Sequence, residues 1–233
     1  MMEIRDRPWQ STPMQRTSPM YCGLMRGWCV LLLLATGAVP ASAQSLYMKK
    51  GERAVEGSIG WSVGPSSNGT EGVVSASVDG RVDVGISLAR YTYTFDDGSK
   101  STFNEYAPFV RFFPIKEQDG GAPVSLAISG QVFLDSYGTP DSGHYVQVGT
   151  AIYKQLKLSD SLSIQPYVGF AFVAESYTFG GGPAARAQYL TRDIGLHFTS
   201  PPERPWIFRV TLVEQSFRRE TYRGARVAVI RRL

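Results

Sequence analysis

The chain has 233 residues, of which 43% are hydrophobic and 19% charged, with a formal net charge of +4. So small a net charge, with no basic run, excludes nucleic acid as a partner, and no shift in composition divides the chain into several domains. Both cysteines, Cys22 and Cys29, lie ahead of residue 43.

The first element is not part of the fold. Arg26 is followed by the apolar run Trp28-Cys29-Val30-Leu31-Leu32-Leu33-Leu34-Ala35 and then by Ala41-Ser42-Ala43. These are the three regions of a signal peptide, with cleavage expected between Ala43 and Gln44. The run is too short for a membrane anchor, which needs roughly 20 apolar residues to cross about 30 Å of hydrocarbon. The stretch 1–24 is long and polar for a signal peptide, so Met25 is an alternative start. Cys29 sits at the front of the apolar run, not behind it, which argues against lipoprotein acylation. The expected division is therefore 1–43 as signal peptide with a possible extension, and 44–233 as the mature domain. Removal of 1–43 takes away Arg5, Arg7, Arg16, Arg26, Glu3 and Asp6, which lowers the net charge from +4 to +2. It also takes both cysteines, which excludes disulfides and thiol chemistry.

After residue 50 the sequence alternates apolar with polar or small residues, segment after segment. Successive side chains of a strand point to opposite faces, so each segment reads as a strand with one oily face. The segment 53–63 places Val55, Ile59 and Trp61 opposite Glu56, Ser58 and Ser62. Residues 64–69 read as a loop, 72–78 as a short strand, and Asp79-Gly80 as a two-residue hairpin turn. The segment 81–95 carries Val82, Val84, Ile86 and Leu88 in phase. Its parity changes near Arg90, where Tyr91, Tyr93 and Phe95 follow, which a bulge or an aromatic rim would explain. A loop at 96–99 leads to 102–113, then Pro114 and a turn at 117–121. The clearest segment, 123–137, alternates Leu126, Ile128, Val132 and Leu134 with Ala127, Ser129 and Gln131. A loop at 138–141, the segment 143–158 and the turn Ser159-Asp160 follow. The segment 161–178 ends in a loop at 180–183. The segments 187–199, 206–217 and 222–232 complete ten strands, with Pro201-Pro202 between the first two of these.

Alternation alone does not say which face is outside, because a soluble lipocalin-like barrel alternates too. The polar face decides it. It carries Gly60, Ser87, Ala89, Ala127, Ser129, Gly149, Ala151 and Gly169 rather than the long charged residues of a wet surface. Among them lie charges of both signs: Glu56, Asp83, Glu105, Arg111, Asp135, Glu175, Asp193 and Arg209. Small residues and mixed charges suit a narrow interior in which ions must pair. Trp61, Phe112 and Trp206 lie at strand ends on the apolar face, as interfacial girdles do. The expectation is an all-β, up-and-down antiparallel transmembrane barrel of about ten strands, with eight possible, in an outer membrane. A soluble barrel and a β-sandwich are the competing folds. If both termini face the periplasm, the short turns lie there and mostly longer loops lie outside.

Two segments carry a resemblance. Tyr106-Ala107-Pro108-Phe109-Val110-Arg111-Phe112-Phe113 and Ile164-Gln165-Pro166-Tyr167-Val168-Gly169-Phe170 resemble strands of the small outer-membrane β-barrel domain family of Gram-negative bacteria. The resemblance extends over roughly 54–233 and concerns a kind of strand, not a site. It implies a porin-like small barrel with a structural or adhesive role, assembled by the barrel-assembly machinery. That family usually ends in an aromatic residue, whereas this chain ends Val229-Ile230-Arg231-Arg232-Leu233.

Nothing in the sequence assembles a catalytic group. His144, near Ser142 and Asp141 at one rim, supports at most an enzyme acting on lipid A. His197 has no second histidine at ligand spacing, and Asp96-Asp97-Gly98-Ser99 lacks the ligand count of a calcium loop. The reading is therefore a non-enzymatic monomer without cofactors, whose partners are outer-membrane lipid, lipopolysaccharide and the assembly machinery. The region 214–226, with Arg218, Arg219 and Arg223, is a basic rim patch that reads first as a solvated hairpin and, as the sharper alternative, as a contact for anionic lipopolysaccharide. Phe109, Gln131, Phe133, Tyr153, Tyr167 and Tyr177 would fill a lumen of this width. A narrow channel for small solutes is the alternative.

Overall fold

A computed structural model describes residues 44–65, 67–94, 98–136, 142–178, 185–201, 204–217 and 220–233. The loop tips at 96–97, 138–141 and 180–183, with Phe95, Arg218 and Arg219, lie outside the described residues, as does the segment 1–43.

The alternating segments form eleven strands in one antiparallel sheet. They are β1 (Ala54–Val63), β2 (Ser67–Val78), β3 (Val82–Thr94), β4 (Lys100–Ile115), β5 (Ser125–Ser136), β6 (Ser142–Tyr153), β7 (Leu156–Lys157), β8 (Ser163–Thr178), β9 (Ala185–Thr199), β10 (Trp206–Phe217) and β11 (Glu220–Arg232). Sequence neighbours pair with one another except β6 and β7, which both pair with β8; β1 pairs with β11, and the ring is completed by β6 with β8. That last pairing closes the sheet into a barrel, which rules out a sandwich and leaves no open edge in the ring.

β7 is the far end of β6. The register runs on from Tyr153↔Tyr167 to Leu156↔Ile164 without a slip. Lys154 N donates to Pro166 O at 3.1 Å, but Pro166 has no N–H to return the bond. A missing ladder bond thus splits one long strand, and the ring holds ten.

Several boundaries differ from the sequence reading, each for a local reason. β2 begins at Ser67 and not at 72, because Asn68 and Ser67 pair with Val63 and Tyr93 on either side. Gly69 makes this possible: a Cβ there would stand 2.2 Å from the Tyr91 ring that covers it. The change of parity near Arg90 is not a bulge. The β2–β3 and β3–β4 registers are continuous through it. Tyr91 and Tyr93 are buried in the lumen, while Arg90 is exposed on the outer wall. A bulge does occur in β4 between Phe112 and Ile115, around Pro114, where proline is tolerated. At the Asp79-Gly80 turn both residues have positive φ, 56° and 57°, as a tight hairpin of this type requires.

The strands also run further toward the end away from the termini than the turn signals imply, leaving only 64–66, 95–99, 137–141, 179–184 and 218–219 as connections there. The expected contrast between short turns at one end and longer loops at the other is therefore absent. Strand pairing continues through small residues that read locally as loop.

The outside is apolar. Ile59, Val74, Ile86, Leu88, Val110, Ile128, Val148, Phe172, Ile194 and Phe208 are all exposed, as are Trp61, Phe112 and Trp206 nearer the strand ends. So continuous a band of exposed large apolar side chains far exceeds what a soluble monomer shows. In a soluble barrel the same rows would be buried. A closed barrel satisfies every strand's backbone within itself, as a hydrocarbon layer demands. The chain is an outer-membrane-type β-barrel, and the outer membrane is its place.

Candidate functional site: the barrel interior

The inward rows combine small residues with charge. Ala107, Ala127, Ala171 and Ala228 are buried, and between them lie Glu56, Glu71, Asp83, Glu105, Arg111, Asp135, Glu175, Asp193, Arg209 and Arg226, none more than 9% exposed. Closure of the sheet brings these residues together from distant parts of the sequence.

Near the starts of β1 and β10, Arg209 Nη2 donates to Glu56 Oε1 at 2.5 Å, with both side chains fully buried. Arg111 stands directly opposite Asp83 on the β3–β4 ladder, and Asp193 faces Gly169 on the β8–β9 ladder. His197 is wholly buried here. Its Nδ1 and Thr211 Oγ1 share a 2.7 Å hydrogen bond, and its ring stacks on Tyr167 with centroids 4.9 Å apart. Tyr153 stacks on Tyr167 in turn at 5.3 Å. The histidine is thereby a packed member of an aromatic column.

Toward the end away from the termini the pairs change in kind. Glu71 accepts from Arg226 Nη2 and from Ser87 Oγ. Glu105 Oε2 accepts from Tyr145 OH at 2.7 Å, and Glu175 Oε2 accepts from Tyr189 OH at 2.9 Å. Asp135 is the direct cross-strand neighbour of Glu105. Phe133 stacks on Tyr145 at 3.9 Å, and Tyr91 on Phe103 at 5.3 Å. Phe109 and Gln131 are buried as well. The side chain of Tyr177 lies outside the described ones.

The other mouth is occupied by a segment the strand pattern did not identify. Gln44–Tyr47 forms a 3-10 turn, and Ser45, Leu46, Tyr47 and Met48 are all buried. Ser45 N and Oγ donate to Asp83 Oδ1 at 2.9 and 2.6 Å, and its hydroxyl also bonds Ser77 Oγ at 2.7 Å. Lys116 Nζ donates to Met48 O and, at 2.7 Å, to Gly80 O. Arg232 Nη2 donates to Tyr47 O at 3.0 Å. Leu46, Tyr47 and Met48 join Ala54, Phe113, Ile207 and Ile230 in one apolar cluster. Burial holds the Lys116 ammonium below its ordinary pKa, with nearby Asp119 opposing the shift. The available sequence signal is the apolar Leu46-Tyr47-Met48 stretch, left over between the expected cleavage site and the first strand.

Sequence reasoning also missed Glu71 and Arg226 as a pair. Glu71 fell just outside the short strand assigned to 72–78, and Arg226 was grouped with a basic rim patch. The β11 alternation instead turns Arg226 inward, while Arg223 is exposed and pairs with Glu214 at 3.1 Å. His144 is exposed on the outer wall. Asp141 is outside the described residues, and nothing is described of the Ser142 side chain. Among the described residues no group of His, Cys, Asp and Glu is arranged to hold a metal ion.

The space bordered by Glu71, Ala89 and Glu105, together with the outward-facing Ile59, Leu88 and Tyr106, amounts to about 340 Å³. A cavity of about 30 Å³ lies beside Glu71, Tyr91, Gln215 and Arg226, and another of about 10 Å³ beside Arg111, Tyr153 and Asp193. Volumes of this order hold one or two water molecules.

No family model matches the chain, and no curated protein is similar to it in sequence. Among solved structures, the translocator domain of autotransporter NalP from Neisseria meningitidis is 9% identical, with 93% of this chain and 98% of that one covered and a TM-score of 0.49. Neisserial surface protein A is 5% identical over 77% and 96% of the two chains, with a TM-score of 0.44. The attachment invasion locus protein Ail of Yersinia pestis is 10% identical over 80% and 100%, with a TM-score of 0.36. Likeness at this level adds nothing about activity, and the fold rests on its own register and burial.

Proposed function

We propose that the protein is a monomeric, non-enzymatic outer-membrane barrel whose lumen is plugged, serving envelope structure, adhesion or another surface interaction. What supports this reading is the set of inward-facing ion pairs, stacked tyrosines and the buried Ser45–Met48 segment. A ring of ten strands is normally occupied by side chains, whereas general diffusion pores use about 16. With the inside committed to packing, recognition falls to the connections at the end away from the termini, since loops on a rigid scaffold carry it. In this reading 1–43 is removed on export, the termini lie at the periplasmic end, and the assembly machinery inserts the barrel among lipid and lipopolysaccharide. The small outer-membrane barrel domain family is the group it fits best.

The test is gel migration of the protein extracted from cell envelopes. A barrel that survives detergent should migrate differently before and after boiling. Identical migration, with recovery in the soluble fraction, would overturn the proposal.

A further inference from the structure

Residues 53, 204 and 231 gather at one side of the rim that carries Ser45–Met48, and among the described residues their charges have no acidic partner there. Elsewhere on that rim Arg81 pairs with Asp119, Lys154 with Glu117 and Lys157 with Asp160. At the β10–β11–β1 edge Arg232 takes Glu52 at 3.2 Å. Arg53, Arg204 and Arg231 are all exposed, and among the described residues none has a carboxylate partner. Lys49 and Lys50 are close by, but Gly51 N donates to Asp79 O, so Asp79 lies within their reach and the three arginines carry the argument.

These three residues, far apart in sequence, are neighbours in the fold. Leu233 N donates to Arg53 O, and Arg232 N donates to Pro205 O, next to Arg204. Arg231 is the register partner of both Val55 and Trp206. By the alternation of β1 and β11, Arg53 and Arg231 continue the lipid-facing rows of Val55 and Val229. The Arg231 guanidinium lies 5.3 Å from the centre of the exposed Trp206 ring. The edge therefore presents three exposed guanidinium groups, with no carboxylate partner among the described residues, beside an apolar wall of Val55, Phe208 and Val229, with the Trp206 ring between the two.

We infer that this edge binds the phosphate headgroup of an anionic phospholipid in the periplasmic leaflet, its acyl chains lying along the β10–β11–β1 wall. A guanidinium fork matches phosphate oxygens, an apolar wall matches acyl chains, and Trp206 marks the boundary between them. The inference rests on the membrane reading and on the periplasmic placement of the termini. A basic residue at an anionic lipid surface is worth roughly a five-fold preference, so three together approach a factor on the order of one hundred.

The test uses the protein recovered from envelopes and inserted in phosphatidylcholine vesicles, with Trp61→Phe leaving Trp206 as the reporter in the barrel. Brominated phosphatidylglycerol should quench Trp206 at a mole fraction at least about ten-fold below that needed for brominated phosphatidylcholine. Arg53→Gln/Arg204→Gln/Arg231→Gln should abolish the preference and the three Lys counterparts should retain most of it, both still showing heat-modifiable migration. Inorganic phosphate should not relieve the quenching, which separates a lipid from a free anion. Equal quenching by the two lipids overturns the site. So does stronger competition by lipid A than by phosphatidylglycerol, which moves the edge to the other leaflet. A Gln variant that fails to assemble in cells, beside a parent with no lipid preference, would assign the edge to the assembly machinery. Loss of heat-modifiable migration in the parent would instead count against the membrane reading itself.

Discussion

Arg209 and Glu56 pair across a strand that separates them. β11 lies between β10 and β1, and Ala228 occupies the intervening inward position opposite Arg209. A side chain no larger than alanine lets the guanidinium pass over the strand to the carboxylate, 2.5 Å away, with neither group exposed. Breaking the pair strands a buried charge. Arg209→Met should therefore cost about 3–5 kcal/mol, and adding Glu56→Met should recover much of that loss. Urea unfolding of the refolded barrel in vesicles measures both. Equal stability of the single variant and the parent would contradict the account.

The outer wall makes the opposite demand. Ile128 is 47% exposed on β5, and the adjacent Ser129 lies on the inward row near Gly149. Ile128→Arg should lower stability by about 2–4 kcal/mol if the residue sits near the bilayer midplane. Ser129→Thr, one residue away on the other face, should change it little. The contrast between neighbours is the measurement, because a shift of one residue in register would exchange the two results.

The seat of Ser45–Met48 depends on Lys116, which bonds two backbone carbonyls while buried. Its folded-state pKa is lowered from the ordinary value. The folded protein thus releases this proton before the unfolded chain does. The cost of burying the charge is present at neutral pH and is relieved as pH rises through the folded value toward the ordinary lysine range near 10.4. Relative to Lys116→Met, the parent should gain stability over that alkaline window. The same substitution should raise the protease sensitivity of the segment around Lys49. An unchanged cleavage rate would show that Lys116 does not hold the segment.

The fold was legible wherever alternation was long and unambiguous. The pattern of Leu126, Ile128, Val132 and Leu134 against Ala127, Ser129 and Gln131 specifies one strand and its faces, because side-chain period and burial agree. Where small residues pair through a turn-like stretch, as at Ser67–Gly69, local composition pointed to loop and the neighbouring strands decided otherwise. Tyr91 and Tyr93 misled for a related reason: aromatic residues suit a lumen as well as a lipid interface, and only register tells them apart. The charges on the polar face were visible one by one, but which of them meet depends on closure. Arg209 finds Glu56 only because β1 and β11 pair. Ser45–Met48 carried no periodic signal, since a segment of its length has no repeat to show.

Electrical current through a planar bilayer tests the proposed filling of the lumen most directly. If the stacked tyrosines, paired charges and Ser45–Met48 segment block the path, the protein inserted from detergent should give no stable open level. Stable, porin-like conductance steps from the intact protein would contradict the plugged-barrel account and favour a channel.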